Sequence, residues 1–397
     1  MPGRSYREDM TTTTHRPPVW LTPGDCRLED FRALVEQTTD AADYPYAETV
    51  ERNVLIYGAG LRDRLRTQRE RHDVQAEVVR ALSDGPGIVV FRGAFADDVV
   101  DRATGIFHRM IDEQKAAGVV GGDHFAKPGA NDRVWGALDK FAVRAPEAFA
   151  EYYANDLLAL VSEAWLGTGY QVTSQINVVN PGGRAQVAHR DYHLGFMSAE
   201  QAQRYPLHVH LLSPVLTLQG AVAHVDMPVE TGPTLYLPHS QKYPAGYLAF
   251  HQSEFTAYFD ANYVQLPLRK GDAAFFNPAL FHGAGTNRSA DVRRMANLLQ
   301  VSSAFGRAME DVDRTAMSTA LYPVLRRLTD EAAVRNVVAA SAEGYAFPTN
   351  LDSDQPIGGL APQTQAELVH QALGEGWSEE RFAEALRAHG KRRVAHP

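Results

Sequence analysis

The chain has 397 residues, of which 44% are hydrophobic and 22% charged, and its formal net charge is −9. This composition is typical of a globular protein with a sizeable core, and the negative charge argues against a broad nucleic-acid surface, which needs clustered lysine and arginine. No apolar run approaches the roughly 20 residues that cross a bilayer, and the single cysteine, Cys26, excludes an internal disulfide. The sequence therefore predicts a cytoplasmic protein that binds neither a membrane nor a nucleic acid.

Helical patterns dominate the chain before residue 170. Residues 1–24 are mostly polar and lack the apolar segment of a signal peptide, so we expect a flexible tail. Apolar spacing predicts helix over 25–71, within a helical N-terminal extension that covers 25–84. A β-branched run bounded by glycines predicts a strand at 87–92, and amphipathic spacing predicts helices at 96–117 and 146–166.

Short β-rich runs separated by turn signals follow, a pattern typical of a β-sandwich or barrel. The predicted strands cover 171–180, 185–189, 215–226, 234–237, 273–277 and 294–302. Helical patterns return at 309–340 and 363–389. The sequence thus predicts a mainly β core over 85–305 with a helical C-terminal extension over 306–397, in which the turn-rich stretch 344–354 is a candidate lid or homodimer contact.

The chemistry of the core depends first on His189 and Asp191, at the end of a predicted strand. Side chains at i and i+2 of a strand share one face, so an imidazole nitrogen and a carboxylate oxygen can reach one ion. His282 lies between Phe281 and small residues, where a metal could approach closely. Two histidines and one carboxylate form the ligand set expected for oxygen-activating iron(II).

Arg293 follows His282 by eleven residues, with a turn between them. The returning strand would place its guanidinium near the metal, where it could hold a dicarboxylate through paired hydrogen bonds. On this spacing we prefer Arg293 to Arg294, which would point to the opposite strand face. His193, just beyond the metal strand, is a candidate for lining a substrate pocket.

An ordered set of motifs resembles the phytanoyl-CoA dioxygenase family of iron(II)/2-oxoglutarate oxygenases, over residues 85–305. The resemblance implies a double-stranded β-helix, or jelly-roll, core. It implies that His189, Asp191 and His282 bind iron, that Arg293 holds the distal carboxylate of 2-oxoglutarate, and that oxygen is the second co-substrate. The matching segments are 87–95, Asn180-Pro-Gly-Gly, His189-x-Asp191, 230–240, Lys270-Gly-Asp, 282–287 and Arg293.

The chain departs from this family pattern at two positions. His239 stands where the family usually has glycine, which predicts a differently shaped turn. Ala284 lacks a hydroxyl that some members place on the co-substrate, so Gln175 and Thr234 are candidates for that contact. Relatives that halogenate have a small residue in place of Asp191, so the carboxylate here predicts hydroxylation or another oxidation.

Two other classes are compatible with a His–Asp–His set. One is a cupin-like jelly roll that binds a metal or ligand without redox chemistry, and the other is a zinc hydrolase. Arg293 at its spacing argues against both. The sequence indicates a small-molecule substrate without identifying it.

Overall fold

The computed structural model describes residues 18–118 and 130–395, and all statements on architecture concern these ranges. The helices are α1 (Leu28–Val35), α2 (Gln68–Ser83), α3 (Asp97–Ala116), α4 (Ala137–Arg144), α5 (Pro146–Tyr153), α6 (Asp156–Leu166), α7 (Ala199–Ala202), α8 (Leu207–Leu212), α9 (Gly246–Ala249), α10 (Ser253–Asn262), α11 (Arg314–Leu325), α12 (Glu331–Ser341), α13 (Gln365–Gly374) and α14 (Glu379–Arg393). The strands are β1 (Thr49–Glu51), β2 (Val54–Tyr57), β3 (Ile88–Phe91), β4 (Asn131–Val134), β5 (Gln171–Val179), β6 (Thr217–Ala223), β7 (Leu235–Leu237), β8 (Val264–Gln265), β9 (Ala273–Phe276), β10 (Phe281–Gly283) and β11 (Arg294–Ser302).

Two sheets form the centre of the molecule. The larger has eight strands in the order β1-β2-β3-β9-β6-β11-β5-β4, and the smaller has the order β10-β7-β8. All neighbouring strands are antiparallel except β2 and β3. This arrangement confirms the predicted jelly-roll core with flanking helices.

Alternation along the strands of the large sheet separates a helix-facing core from an interior cavity. On β11, Met295 and Val301 are buried in the main core cluster, whereas Ala296 and Leu298 line the cavity. Side chains alternate between the two faces of a strand, so one strand serves both surfaces. The main cluster includes residues from Tyr44 to Leu386, so both predicted extensions pack on the same core.

A second core cluster anchors the small sheet. Phe31 of α1 packs against Tyr243, Phe255 and Phe281, with ring centroids 5.4, 5.2 and 5.0 Å away. Most of the aromatic residues at 243–259 belong to this cluster. Phe281 precedes His282 on β10, so the N-terminal helix supports the strand that carries a predicted metal ligand.

Several element predictions need correction. The segment predicted as helix over 25–71 contains β1 and β2, which extend the large sheet. Its run Val54-Leu-Ile-Tyr57 is buried on both faces, so it lacks the alternation that marks a half-buried strand. The predicted helix 146–166 divides at Asn155, which caps α6 by accepting hydrogen bonds from the backbone of Leu157 and Leu158.

Other predicted elements are divided or shortened. The helix predicted at 309–340 is α11 and α12, and that at 363–389 is α13 and α14. The strand predicted at 185–189 is extended backbone that forms a sheet bridge only at His189. The predicted tail 1–24 lies mostly outside the described residues. None of the described helices combines the length and hydropathy that a membrane span requires.

Candidate metal centre

Backbone pairing between two distant segments brings the predicted ligands together. His189 and His282 form an antiparallel bridge, with N–H···O distances of 3.0 and 3.1 Å between their backbones. The backbone N–H of Asp191 donates to the carbonyl of Pro278 at 2.9 Å. These bonds hold the extended segment that carries His189 and Asp191 beside β10.

The three side chains converge on one point. Nε2 of His189 lies 3.7 Å from Oδ1 of Asp191, and Nε2 of His282 lies 3.3 Å from Oδ2 of the same carboxylate. One ligand atom from each residue lies within 4.8 Å of the others. This set, two imidazole nitrogens and a carboxylate oxygen, fits a non-haem iron(II) ion.

Hydrogen bonds at the far side of each imidazole determine its tautomer. Nδ1 of His189 lies 2.9 Å from the carbonyl oxygen of Val187, and Nδ1 of His282 lies 2.8 Å from that of Leu280. A carbonyl oxygen only accepts, so each Nδ1 must carry the proton. Each Nε2 atom therefore carries the lone pair that a metal ion would use.

The local electrostatics favour the metal-binding protonation states. Burial alone would raise the pKa of the Asp191 carboxyl, but the two histidines and the amide of Gln219 outweigh it and hold that pKa well below its ordinary value. Burial, together with the neighbouring His282, lowers the pKa of His189. Near neutral pH the site thus presents a carboxylate and a neutral His189, as a divalent cation requires.

The ligands open onto a cavity of about 740 Å³ between the two sheets. Arg294, the first residue of β11, lines this cavity and is only 7% exposed. Its Nη1 donates to the carbonyls of Thr231 and Gly285, each at 3.3 Å. Burial lowers the pKa of Arg294 to about 10, so the guanidinium keeps its charge at neutral pH.

Arg293 lies outside the cavity, contrary to the prediction. Its side chain is half exposed and pairs with Asp132 at 2.7 Å and with Asn180 at 3.0 Å. The preference for Arg293 is therefore wrong in this structure: Arg294 is the arginine on the cavity side. A shift of one residue moves a side chain to the other face of a strand.

A model of the phytanoyl-CoA dioxygenase (PhyH) family matches residues 83–295, more than half of the chain, including all three ligands. The chain belongs to this family. Curated relatives include dioxygenase trt7 of Aspergillus terreus (strain NIH 2624 / FGSC A1156), 26% identical over 212 residues that cover 52% of this chain and 67% of trt7. Dioxygenase cdmD of Talaromyces verruculosus is 33% identical over 116 residues, which cover 29% of this chain and 34% of cdmD.

Similar solved structures include the non-haem α-ketoglutarate-dependent epimerase SnoN from nogalamycin biosynthesis, with 18% identity, coverage of 59% of this chain and 84% of SnoN, and a TM-score of 0.38. AviO1 from Streptomyces viridochromogenes Tue57 has 17% identity, coverage of 59% and 97%, and a TM-score of 0.43. HygX from Streptomyces hygroscopicus, solved with nickel, 2-oxoglutarate and hygromycin B, has 15% identity, coverage of 58% and 88%, and a TM-score of 0.41.

This PhyH-family chain is a non-haem iron(II), 2-oxoglutarate-dependent dioxygenase, as its family and its His–Asp–His set indicate. The finding decides against the cupin-like binder and the zinc hydrolase. It confirms the predicted iron and 2-oxoglutarate. The two fungal relatives are likewise named dioxygenases.

The remaining predicted site residues differ in their placement. Gln175 and Thr234 both line the cavity, and Oε1 of Gln175 accepts a hydrogen bond from Arg133 at 3.1 Å. Their contact with the co-substrate stays a prediction. His193 is not among the lining residues, because its Nδ1 turns toward Oγ of Ser213 at 3.3 Å. The expectation that His193 lines the pocket is therefore not supported.

His239 lies in a left-handed backbone conformation within its turn. His239 has φ +70°, a left-handed conformation that favours glycine. Its Nε2 lies 3.1 Å from Oγ1 of Thr39, and its backbone N–H donates to Pro86. Packing against the N-terminal segment therefore stabilises a histidine at a strained position.

Sequence reasoning missed Gln219, which contacts Asp191 from β6. Its Nε2 donates to Oδ2 of Asp191 at 2.5 Å. No local motif identifies this residue. Sequence reasoning considered Arg294 but preferred Arg293, although a signal favours Arg294. Arg294 shares its strand parity with Ala296 and Leu298, whereas the large apolar Met295 occupies the other face.

Proposed function

We propose that this enzyme hydroxylates a small-molecule substrate, with release of succinate and carbon dioxide. One observation carries the proposal: a buried arginine shares a cavity with the metal ligands. No carboxylate in the described part of the chain lies within ion-pair distance of Arg294. A buried cation without a counter-ion is costly, and a bound dicarboxylate would supply the missing negative charge.

The residues of this chain would divide the work as follows. His189, Asp191 and His282 would hold iron(II), and Arg294 would bind the distal carboxylate of 2-oxoglutarate and so orient it. Iron(II), when bound, supplies the activation of oxygen coupled to the oxidative decarboxylation of 2-oxoglutarate. The apolar walls, including Phe276 beside His282 at a ring distance of 4.8 Å, would exclude water from the reacting groups.

The test is an anaerobic titration of the apoprotein with iron(II) and then 2-oxoglutarate, followed by visible absorption. We expect a charge-transfer band. Arg294→Ala should raise the dissociation constant for 2-oxoglutarate by about 30-fold or more, because truncating one partner of a buried charge pair costs about 2 kcal/mol or more. Arg293→Ala is the matched control and should change this constant by less than about twofold.

Two outcomes would contradict the proposal. If iron binds and no band forms, the enzyme does not chelate 2-oxoglutarate at this metal. If Arg293→Ala weakens 2-oxoglutarate binding and Arg294→Ala does not, Arg294 is not the residue that binds the distal carboxylate.

The cavity wall formed by β4, β5 and β11 supports a substrate with hydrogen-bond donors. Asn131, Gln175, Asn177 and Gln300 line this wall. Among the described residues, the side-chain oxygens of Asn131 and Asn177 are buried and have no partner. Such oxygens pair with O–H or N–H groups. In a screen that measures succinate release, compounds with hydroxyl groups should therefore stimulate turnover. If only carboxylic acids with plain hydrocarbon chains stimulate turnover, this proposal is wrong.

We infer a cytoplasmic enzyme from the composition and the single cysteine. The homodimer contact at 344–354 likewise stays a prediction. The molar mass of the purified protein, measured by light scattering, tests the predicted homodimer. A monomer at micromolar concentration would exclude a stable dimer.

A further inference from the structure

Among the described residues, Gln219 makes the closest side-chain contact to the carboxylate of Asp191. Its Nε2 lies 2.5 Å from Oδ2 of Asp191, and the residue is 6% exposed. Gln219 also lines the cavity onto which the three ligands open. It is thus the polar side chain that connects the large sheet to the metal carboxylate.

The position of Gln219 is rigidly determined by the sheet. β6 has hydrogen-bonded neighbours on both sides, and Gln219 lies opposite Phe276 of β9 and Gln300 of β11. Asp191, by contrast, lies on an irregular segment, where Tyr192 and His193 follow with φ of 64° and 46°. A side chain on a central strand can therefore fix the carboxylate more accurately than the loop alone.

The chemistry of the contact determines which end of the amide faces Asp191. A carboxylate accepts hydrogen bonds, so the NH₂ group of Gln219 must point toward it. Oε1 then points elsewhere, and within the described residues it is buried without a hydrogen-bond partner. A buried unpaired acceptor costs stability, and this oxygen can accept a hydrogen bond from an O–H or N–H group that enters the cavity.

We propose that Gln219 is a positioning residue that makes Asp191 a one-oxygen ligand of the metal. The amide holds Oδ2, so Oδ1 would remain for the ion. Oε1 remains as an acceptor for an O–H donor that enters the cavity. The inference rests on the proposed function, because it assumes that His189, Asp191 and His282 bind a metal.

The test uses cobalt(II) as the probe, since it absorbs in the visible and reports coordination number. We expect Gln219→Leu to raise the cobalt(II) dissociation constant of the apoprotein by about 10- to 100-fold, as loss of a hydrogen bond to a metal ligand does elsewhere. We also expect an altered visible spectrum, because the freed carboxylate can bind through both oxygens. Gln171→Leu is the matched control, because Gln171 is a glutamine of the same sheet that does not line this cavity and donates to the carbonyls of Ser303 and Gly306. It should keep the wild-type cobalt(II) dissociation constant and spectrum.

The outcomes separate this inference from the proposed function. If Asp191→Ala abolishes cobalt binding while Gln219→Leu keeps the wild-type constant and spectrum, Gln219 is not a positioning residue and the metal site stands. If the wild-type protein binds no cobalt or iron, the proposed function fails first. Gln219→Met, which preserves side-chain length, repeats the measurement should the leucine variant not fold, and unchanged binding there overturns the inference equally.

Discussion

Arg190 shows how one residue between two metal ligands supports the site from behind. It points away from the metal, as the alternation predicts, and is completely buried. Its guanidinium donates to the carbonyls of Ser240 and Tyr243 at 2.5 and 3.0 Å and lies 5.2 Å from the ring centres of Tyr247 and Phe281. The segment carrying His189 and Asp191 is therefore held by contacts on both faces.

His224 illustrates a histidine that serves the fold and not the metal. It follows β6 on the helix-facing side, where its Nδ1 lies 2.8 Å from Oγ1 of Thr104 and its Nε2 lies 3.0 Å from the hydroxyl of Tyr152. Burial lowers the pKa of His224 to about 3. A histidine in an unfolded chain has a pKa of about 6.5. The folded protein therefore resists the proton that the unfolded chain accepts.

This difference predicts acid sensitivity. The contribution of His224 to stability is complete above about pH 6.5 and falls by about 1.4 kcal/mol per pH unit as the pH drops toward the folded pKa. We expect His224→Gln to remove about 2 kcal/mol of the loss in unfolding free energy between pH 7 and pH 5. Urea titration of the apoprotein at both pH values measures this quantity.

His72→Gln provides the control, because His72 is exposed on α2. His72→Gln should lose as much unfolding free energy between pH 7 and pH 5 as the wild type does. If His224→Gln loses stability with acid as steeply as the wild type, other groups take up the protons and the role given to His224 is wrong.

At the scale of elements, the division between α5 and α6 depends on a single capping residue. Oδ1 of Asn155 accepts hydrogen bonds from the backbone N–H groups of Leu157 and Leu158 at 3.0 Å, and its Nδ2 donates to Ala94 at 2.7 Å. The cap lets the chain turn between two buried helices. Apolar periodicity continues through this position, which is why the sequence predicted one helix.

Asn155→Ala should therefore lower the free energy of unfolding by about 1–2 kcal/mol, the usual loss for a helix cap. Asn262→Ala is the comparison, because Asn262 ends α10 and its amide reaches only the carbonyl of Tyr258 at 2.8 Å. Its effect should stay within about 0.5 kcal/mol. Equal losses in urea unfolding of the two variants would show that the cap is unimportant.

The register of β11 decides the assignment of the arginine at the same scale. β11 pairs with β5 along its whole length, from Arg294 opposite Val179 to Ser302 opposite Gln171. This register places Arg294 in the cavity and leaves Arg293 at the surface. Spacing from His282 does not determine the face, because the turn between the strands can absorb one residue.

At the scale of the whole molecule, metal binding should stabilise the fold, because the ligands come from segments about ninety residues apart. A ligand that binds only the folded state stabilises it by about 2.7 kcal/mol at a hundred times its dissociation constant. We expect saturating cobalt(II) to raise the melting temperature of the wild type and to leave that of His282→Ala unchanged. Differential scanning calorimetry measures both.

His208→Ala serves as the control, since His208 is exposed on α8. With saturating cobalt(II), the melting temperature of His208→Ala should rise as much as that of the wild type. A rise of equal size in His282→Ala would mean that cobalt binds elsewhere on the protein.

The sequence by itself predicted the His–Asp–His set that the structure brings together, and the strongest strands. His189 and Asp191 share a face because of local strand geometry, and β11 was predicted with its observed bounds because its pattern is long and regular. The tertiary structure alone decided which arginine enters the cavity, where the helix 146–166 divides, and that Gln219 supports Asp191. These features depend on strand register and on contacts between distant residues, which local periodicity does not encode, since a one-residue shift reverses every side chain of a strand.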